Sequence, residues 1–426
     1  MAEYLPRITD SILRNELDSV GAVLLEGPKW CGKTSTAEQC AKSILYMNDP
    51  KNVEANILRA ETNPLSLLSG KTPRLIDEWQ IVADKLWDTV RYEVDHRNEF
   101  GQFILTGSAT PVQLGKNTHS GTGRIRKLKM RTMSLFESGD SSGSVSLKIL
   151  FDSPETINGE CSIKLEELAY LTCRGGWPRA VTTSRKDIAL KQAENYYDAV
   201  VHQEYPESVL RRNNPQWTAS LLKSYARFIG SPATTGNFFD DCKVHGGGMT
   251  SLETIDNYIS FLKSLFVFED MDSWNPNLRS RTAIRTSPVR YFTDPSIAVN
   301  ALASGPGALC NDLKTFGFMF ENMAIRDLRI YAQSINGEIF HYRDRNNLEC
   351  DAVIVLKDGR YGLAEIKLGG STLEEEGASG LKKLESKLNT NTMGKPSFKM
   401  VVSGVSSYAY RRPDDVYVVP IGCLGP

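Results

Sequence analysis

No C-x-x-C pair occurs among the eight cysteines of this 426-residue chain, which lie scattered from Cys31 to Cys423. Scattered thiols in a chain of this size argue against a zinc or disulfide framework and for reduced, mostly buried side chains in a cytosol. Net charge is nearly absent as well: 50 Lys and Arg stand against 51 Asp and Glu, a formal balance of -1. That balance excludes a globally basic protein that coats nucleic acid, so any such contact has to come from local patches. Long apolar runs are missing. No stretch approaches the roughly 18 residues of a membrane span, and Met1-Ala2-Glu3-Tyr4-Leu5-Pro6-Arg7 lacks the apolar core of a signal peptide. What is left, 41% hydrophobic and 24% charged, is ordinary for a soluble globular protein. At about 100–200 residues per domain, the length suggests roughly two to four domains.

Against this plain background one stretch stands out. Gly27-Pro28-Lys29-Trp30-Cys31-Gly32-Lys33-Thr34 fits G-x-x-x-x-G-K-T and follows the apolar run Ala22-Val23-Leu24-Leu25. A strand, a glycine-bounded turn and a helix (Ser35 to Ser43, without proline) form the setting of a phosphate loop. Its backbone N–H groups cradle phosphate oxygens, helped by the positive end of the following helix. The residues from Gly27 to Ser35 are therefore expected to bind ATP or ADP. Lys33 would reach the outer phosphates, and the Thr34 hydroxyl would ligate Mg²⁺.

Two further strand ends fit the same chemistry. Leu75-Ile76 runs into Asp77-Glu78, 43 residues after Thr34. There Asp77 would hold the metal and Glu78 would orient the attacking water. Phe103-Ile104-Leu105-Thr106-Gly107-Ser108 ends a third buried strand in small hydroxyl residues, with Ser108 as a candidate γ-phosphate sensor. Gly121-Thr122-Gly123 then leads into Arg124 and a run of five basic residues in eight. Arg124 is the best candidate for a γ-phosphate arginine, acting in cis or, across a homo-oligomer, in trans. A solvated strand edge is the other reading of that run.

Downstream, Ser138-Gly139-Asp140-Ser141-Ser142-Gly143 reads as a loop leaving the core. Leu165 to Tyr170 and Ile188 to Val201 read as helices. A helix from Trp217 ends near Gly230, and Thr250-Ser251-Leu252-Glu253 caps another whose apolar face is Ile255, Ile259 and Leu262. Strand-like Phe266-Val267-Phe268 and Val289-Arg290-Tyr291-Phe292 complete a winged-helix layout. Arg279, Arg281, Arg285 and Arg290 are its candidate phosphate contacts.

Near the C-terminus, Leu348 to Val355 and Tyr361-Gly362-Leu363-Ala364-Glu365-Ile366-Lys367 read as two strands joined at Lys357-Asp358-Gly359. A three-residue loop with Gly359 left-handed pairs Leu356 with Arg360 and places Asp351 opposite Glu365. Asp351, Glu365 and Lys367 then share one face. Carboxylates so placed suit one or two divalent ions that activate water. Tyr342-Arg343-Asp344-Arg345 and a short helix from Leu381 to Leu388, with Lys382, Lys383 and Lys387, are candidate phosphate contacts. An ion-paired hairpin is the alternative.

The phosphate loop, Asp77-Glu78-Trp79-Gln80, Leu105-Thr106-Gly107-Ser108, Arg124 and Ser134-Leu135-Phe136-Glu137 together resemble a group of bacterial and archaeal AAA-type P-loop ATPases. Their C-terminal domain, of unknown function, resembles the restriction-endonuclease fold. The resemblance spans nearly the whole chain. It implies an α/β protein: a P-loop NTPase core (1–140), linker and helical lid (141–210), winged helix (211–304) and restriction-endonuclease-like domain (305–426). It implies an ATPase coupled to a winged-helix and nuclease-like tail, with Asp351, Glu365 and Lys367 as the nuclease-type triad and Glu321 as the acidic residue of the preceding helix. The expected reading is an ATPase whose tail acts on DNA. Gly175-Gly176-Trp177-Pro178-Arg179 resembles the lid element of signal-transduction ATPases, which would bring Pro178 and Arg179 to the nucleotide. An ordinary turn between helices reads equally well.

Overall fold

The computed structural model describes residues 4–107, 122–202, 214–248, 251–276 and 287–426. Ser108, Arg279, Arg281 and Arg285 lie outside the described residues. The chain divides into two units, one comprising Met1–Thr132 with Leu262–Phe266 and the other the remainder.

The first unit is built on a five-stranded, wholly parallel sheet. In chain order its elements are α1 (Ile8–Leu17), β1 (Ala22–Glu26), α2 (Lys33–Glu38), β2 (Ser43–Tyr46), α3 (Val53–Thr62), β3 (Arg74–Asp77), α4 (Ala83–Arg97), β4 (Phe103–Thr106) and β5 (Ile125–Lys129). The strands lie in the order β2-β3-β4-β1-β5. Both faces are covered. Ala22 and Leu24 join Ile76, Phe103, Leu105, Trp79 and Trp87 in one apolar cluster, while Val23 and Leu25 join Leu13, Leu17, Leu75 and Ile104 in another. A strand buried on both faces needs apolar residues without alternation, which is why β1 and β4 read as continuous apolar runs. The helix after the loop is shorter than its pattern suggests. It ends at Glu38, and Ser43 opens β2, whose Ile44-Leu45-Tyr46 pairs in parallel with Leu75-Ile76-Asp77. Sheet pairing outweighs helical continuation for this β-branched and aromatic segment.

The second unit opens with β6 (Val145–Ser146), α5 (Leu147–Asp152) and β7 (Gly159–Glu160), followed by helices α6 (Leu165–Arg174), α7 (Pro178–Val181) and α8 (Lys186–Val201). Three helices come next: α9 (Pro215–Arg227), α10 (Thr235–Val244) and α11 (Leu252–Ser264), whose final residues from Leu262 are grouped with the first unit; Ile255, Ile259 and Leu262 on α11 are buried. After α11, antiparallel bridges join Phe268 to Phe292 and Met271 to Val289. Then follow α12 (Pro295–Ala301), α13 (Pro306–Asn311), the long α14 (Leu313–Ser334), β8 (Gly337–Arg343), β9 (Glu349–Leu356) and β10 (Tyr361–Lys367). The chain closes with α15 (Ser371–Lys387), α16 (Thr390–Met393), β11 (Lys399–Ser403), β12 (Tyr408–Arg411), β13 (Tyr417–Pro420) and β14 (Leu424–Gly425). Seven strands form one mixed sheet in the order β7-β12-β13-β11-β10-β9-β8.

The helix expected at Leu381 to Leu388 in fact begins ten residues earlier, at Ser371. Gly377 lies inside it, at a mid-helix cost of roughly 0.5–1 kcal/mol relative to alanine. Packing explains the residue. A methyl group there would stand 3.3 Å from Glu365 Cβ, 3.5 Å from Lys367 Cε and 3.2 Å from a Val401 methyl. The glycine lets α15 lie directly on β10 and β11. No helix among the described residues is long and apolar enough to cross a membrane.

Candidate nucleotide site and carboxylate–lysine cluster

The turn between β1 and α2 carries the phosphate-loop residues. Gly27 has no space for a side chain, since a Cβ would come within 2.1 Å of the Met130 carbonyl. Gly32, at φ 101°, is the left-handed residue from which α2 starts. Lys33 is buried, and its ammonium donates to the carbonyls of Gly27 and Pro28 at 2.8 and 2.7 Å. Cys31 is fully buried, whereas Lys29, Trp30 and Ser35 are exposed. Beside the loop, the Thr34 hydroxyl donates to Asp77 Oδ1 at 2.8 Å, and Thr106 donates to the same oxygen at 2.6 Å. Two strand ends and the first turn of α2 therefore meet at one buried carboxylate. Ligand sites of open parallel sheets lie at this carboxyl-end edge.

Glu78 follows Asp77 in left-handed backbone conformation (φ 55°) and is half-buried, its carboxylate accepting from Gln80 Nε2. A side chain on Gly107 would meet Gln80 Oε1 at 2.3 Å, so the β4 end is also packed at its limit. One residue that the sequence reading did not single out braces the loop. Arg7 is buried and donates to the Cys31 carbonyl at 2.8 Å and the Arg131 carbonyl at 2.9 Å. Nothing in its local sequence marks it, because its partners lie 24 and 124 positions away.

Arg124 does not reach this loop within its own chain. Its carbonyl accepts from the Ala22 N–H, and β5 pairs in parallel with β1 from Ala22↔Ile125 to Glu26↔Lys129. Arg124 thus stands level with Gly21 at the opposite end of the sheet, six residues and about 20 Å from Gly27 at roughly 3.3 Å per residue. Its guanidinium pairs with Asp95 at 2.5 Å on the surface. Pro178 and Arg179 belong to the second unit. Pro178 opens α7, and Arg179 is exposed. The glycines before them are anchored there: Gly176 N–H donates to Asp294 at 2.9 Å and Trp177 Nε1 to Ser296 at 2.9 Å.

In the second unit the hairpin has the expected register. Gly359 has φ 91°, Leu356 N–H donates to the Arg360 carbonyl at 2.9 Å, and the strands pair from Tyr361↔Val355 to Ala364↔Ala352. The ladder ends there, one step short of Asp351 and Glu365. Lys367 Nζ lies 2.6 Å from Glu365 Oε2 and 3.6 Å from Asp351 Oδ2, and Asp351 also accepts the Ile366 N–H at 2.7 Å. From α14, Glu321 accepts a hydrogen bond from the buried Tyr291 hydroxyl. Burial, then the Asp351 charge, pushes both Glu321 and Glu365 up to about 8. Burial pulls Lys367 down, but Asp351 and Glu365 outweigh it and the net shift is upward. Tyr291 was legible only as part of a strand, not as the partner of Glu321.

The structure does not make the three carboxyls into a metal-ready set. Among the described residues, no group of three or more His, Cys, Asp or Glu side chains is arranged to hold a metal ion, and the Lys367 ammonium already bridges Asp351 and Glu365. Other expected phosphate contacts are occupied. Arg290 is buried, donating to the Ala233 carbonyl at 2.8 Å and pairing with Asp270. Arg343 pairs with Glu349, Lys387 with Asp344 and Lys382 with Asp414.

Residues 19–138 match the AAA domain family. Residues 165–306 and 316–424 match two domains of unknown function, DUF8612 and DUF4143. Uncharacterized proteins of Mycobacterium bovis and Mycobacterium tuberculosis are each 24% identical over 364 residues, covering 83% of this chain and 72% of theirs. A Walker-type ATPase of Pyrococcus abyssi is similar over 70% of this chain and 96% of its own, at 15% identity and a TM-score of 0.43. The chain carries an AAA-type ATPase domain, a match that supports nucleotide binding and hydrolysis.

Proposed function

We propose that this chain binds and hydrolyses ATP in its first unit and that nucleotide state governs DNA binding by the second. The observation that carries the ATPase reading is the meeting of Thr34 and Thr106 at Asp77 beside the phosphate loop. The hydroxyl of Thr34 and the carboxylate of Asp77 are the oxygen donors that Mg²⁺ prefers, so these two residues would hold it. The ion would neutralise charge on the bridged phosphates. Lys33 leaves its two carbonyls to meet the outer phosphates, and the loop N–H groups orient them. Glu78 holds the attacking water by accepting its proton in a hydrogen bond. The test is ATP turnover by the full chain against Lys33→Ala and Glu78→Gln. Wild-type turnover in both would remove the reading.

DNA binding rests on the resemblance of the second unit to a winged helix and a restriction-endonuclease-like tail. Supporting it are the helices α9 to α11 followed by paired segments at Phe268 and Phe292, and the Asp351–Glu365–Lys367 face. Within that tail, the ammonium lodged between the carboxylates favours a nuclease-like domain that binds without cutting, so that the chain is a nucleotide-dependent switch or scaffold. Incubating DNA with Mg²⁺ or Mn²⁺ and the wild-type or Glu365→Ala chain tests this. Cleavage lost in the variant would establish a deoxyribonuclease instead.

A further inference from the structure

We propose that Cys161 and Cys423 form a peroxide-sensitive thiol pair that closes to a disulfide and reopens on reduction. Cys161 leaves β7 with its N–H donating to the Ser407 carbonyl at 2.7 Å, and Cys423 ends a short 3-10 turn, Ile421–Cys423. Each sulfur lies against a glycine one or two residues before the other cysteine. A methyl on Gly422 would stand 2.7 Å from Cys161 Sγ, and one on Gly159 would stand 3.1 Å from Cys423 Sγ. Gly422 directly precedes Cys423, so the first of these contacts sets the Cys161 sulfur against the backbone beside its partner.

The adjoining Cys423 side chain lowers the Cys161 thiol against the opposing effect of burial, with the Ile163 and Gly422 N–H groups helping. Cys423 shifts upward for the reciprocal reason. One member of the pair is thus biased toward the thiolate and the other toward the thiol. The rest of the chain shows the contrast: burial pushes Cys173 up to about 12, and Cys350 is likewise raised. Access is present too. Cys161, Lys164, Leu368 and Gly370 line an open cavity of about 620 Å³. Thiolate character together with access is what makes a cysteine reactive.

The chemistry balances with hydrogen peroxide as oxidant. The Cys161 thiolate attacks one peroxide oxygen, the O–O bond breaks, and a sulfenic acid and hydroxide form. The Cys423 sulfur then displaces the sulfenic oxygen: an S–S bond forms, the S–O bond breaks, and the oxygen leaves as water with the Cys423 proton. Both sulfurs are oxidised and the peroxide is reduced to water. Disulfides in reducing compartments are mostly transient and regulatory, in keeping with a reversible pair. The bond would fasten the C-terminal segment to the edge strand β7 and stiffen the cavity wall that begins directly after Lys367.

The full-length, fully reduced chain is treated with near-stoichiometric hydrogen peroxide, alkylated, digested and analysed by mass spectrometry. The expected result is a Cys161–Cys423 linked peptide, two hydrogens lighter than its parts and abolished by dithiothreitol. Cys423→Ser should instead accumulate a dimedone-trappable sulfenic acid at Cys161. Both residues recovered alkylated after peroxide, or Cys161 linked to another cysteine, would overturn the proposal even if the variant failed to fold, since the wild-type measurement stands alone.

Discussion

At the phosphate loop of the first unit, Lys33 and Asp77 are held by neutral groups. Lys33 rests on two carbonyls, and Asp77 accepts from two hydroxyls. In the second, charge is set against charge: Lys367 bridges Glu365 and Asp351, while Glu321 is crowded by the same carboxylates. Neutral partners can be exchanged for a ligand at small cost, because a carbonyl or hydroxyl left behind is readily rehydrated at a loop. Ion pairs at a buried strand end are harder to open, since each partner removed leaves an uncompensated charge. The first arrangement suits a site that fills and empties. The second suits a rigid surface feature.

The largest effect that would expose this contrast is in Lys33→Ala. ATP affinity should fall by roughly 100-fold, since charged hydrogen bonds to phosphate are worth about 1.5–3 kcal/mol each, while thermal stability barely changes. Calorimetric titration and a melting curve on one preparation check both halves. Next, Glu78→Gln should keep ATP binding yet hydrolyse it about 100-fold more slowly, the usual size of a general-base contribution; equal turnover would move the water-orienting role elsewhere.

The second unit should respond in the opposite way. Lys367→Ala is expected to destabilise it by about 3 kcal/mol, the low end for breaking a buried pair because Lys367 keeps partial solvent contact. ATP binding should be untouched. A denaturant titration showing wild-type stability would mean that the carboxyls simply take up protons instead.

A smaller effect is carried by pH. Glu321 and Glu365, raised from the ordinary 4.5 to about 8, bind more protons folded than unfolded within that window. Their contribution is therefore full below pH 4.5 and lost as pH rises toward 8. Glu321→Gln should flatten this decline, so that its advantage over wild type in melting temperature grows from pH 5 to pH 8. The smallest effect belongs to Arg124→Ala. A monomeric preparation should hydrolyse ATP at the wild-type rate, because the residue stands at the far edge of its own sheet. Mixing it with Lys33→Ala protein restores activity only where a neighbouring chain supplies the arginine.

Features set by neighbouring residues were legible in the chain alone. The phosphate loop is contiguous, its strand is uniformly apolar, and Asp77 ends the next apolar run, so their meeting follows from parallel pairing. The nearness of Asp351 and Glu365 also follows from counting back from Gly359, since side chains alternate strictly along a hairpin. Tertiary structure decided the rest. Ser43 became strand because β3 offered it a partner, and α15 began early because Gly377 allowed it to lie on β10. Arg290 was drawn inward by Asp270, Arg124 was carried to the wrong end of β5 for its own loop, and Arg7 was recruited to the Cys31 carbonyl. In each case the determining partner is distant in sequence, and its interaction outweighs the tenths of a kilocalorie per residue that local preference supplies.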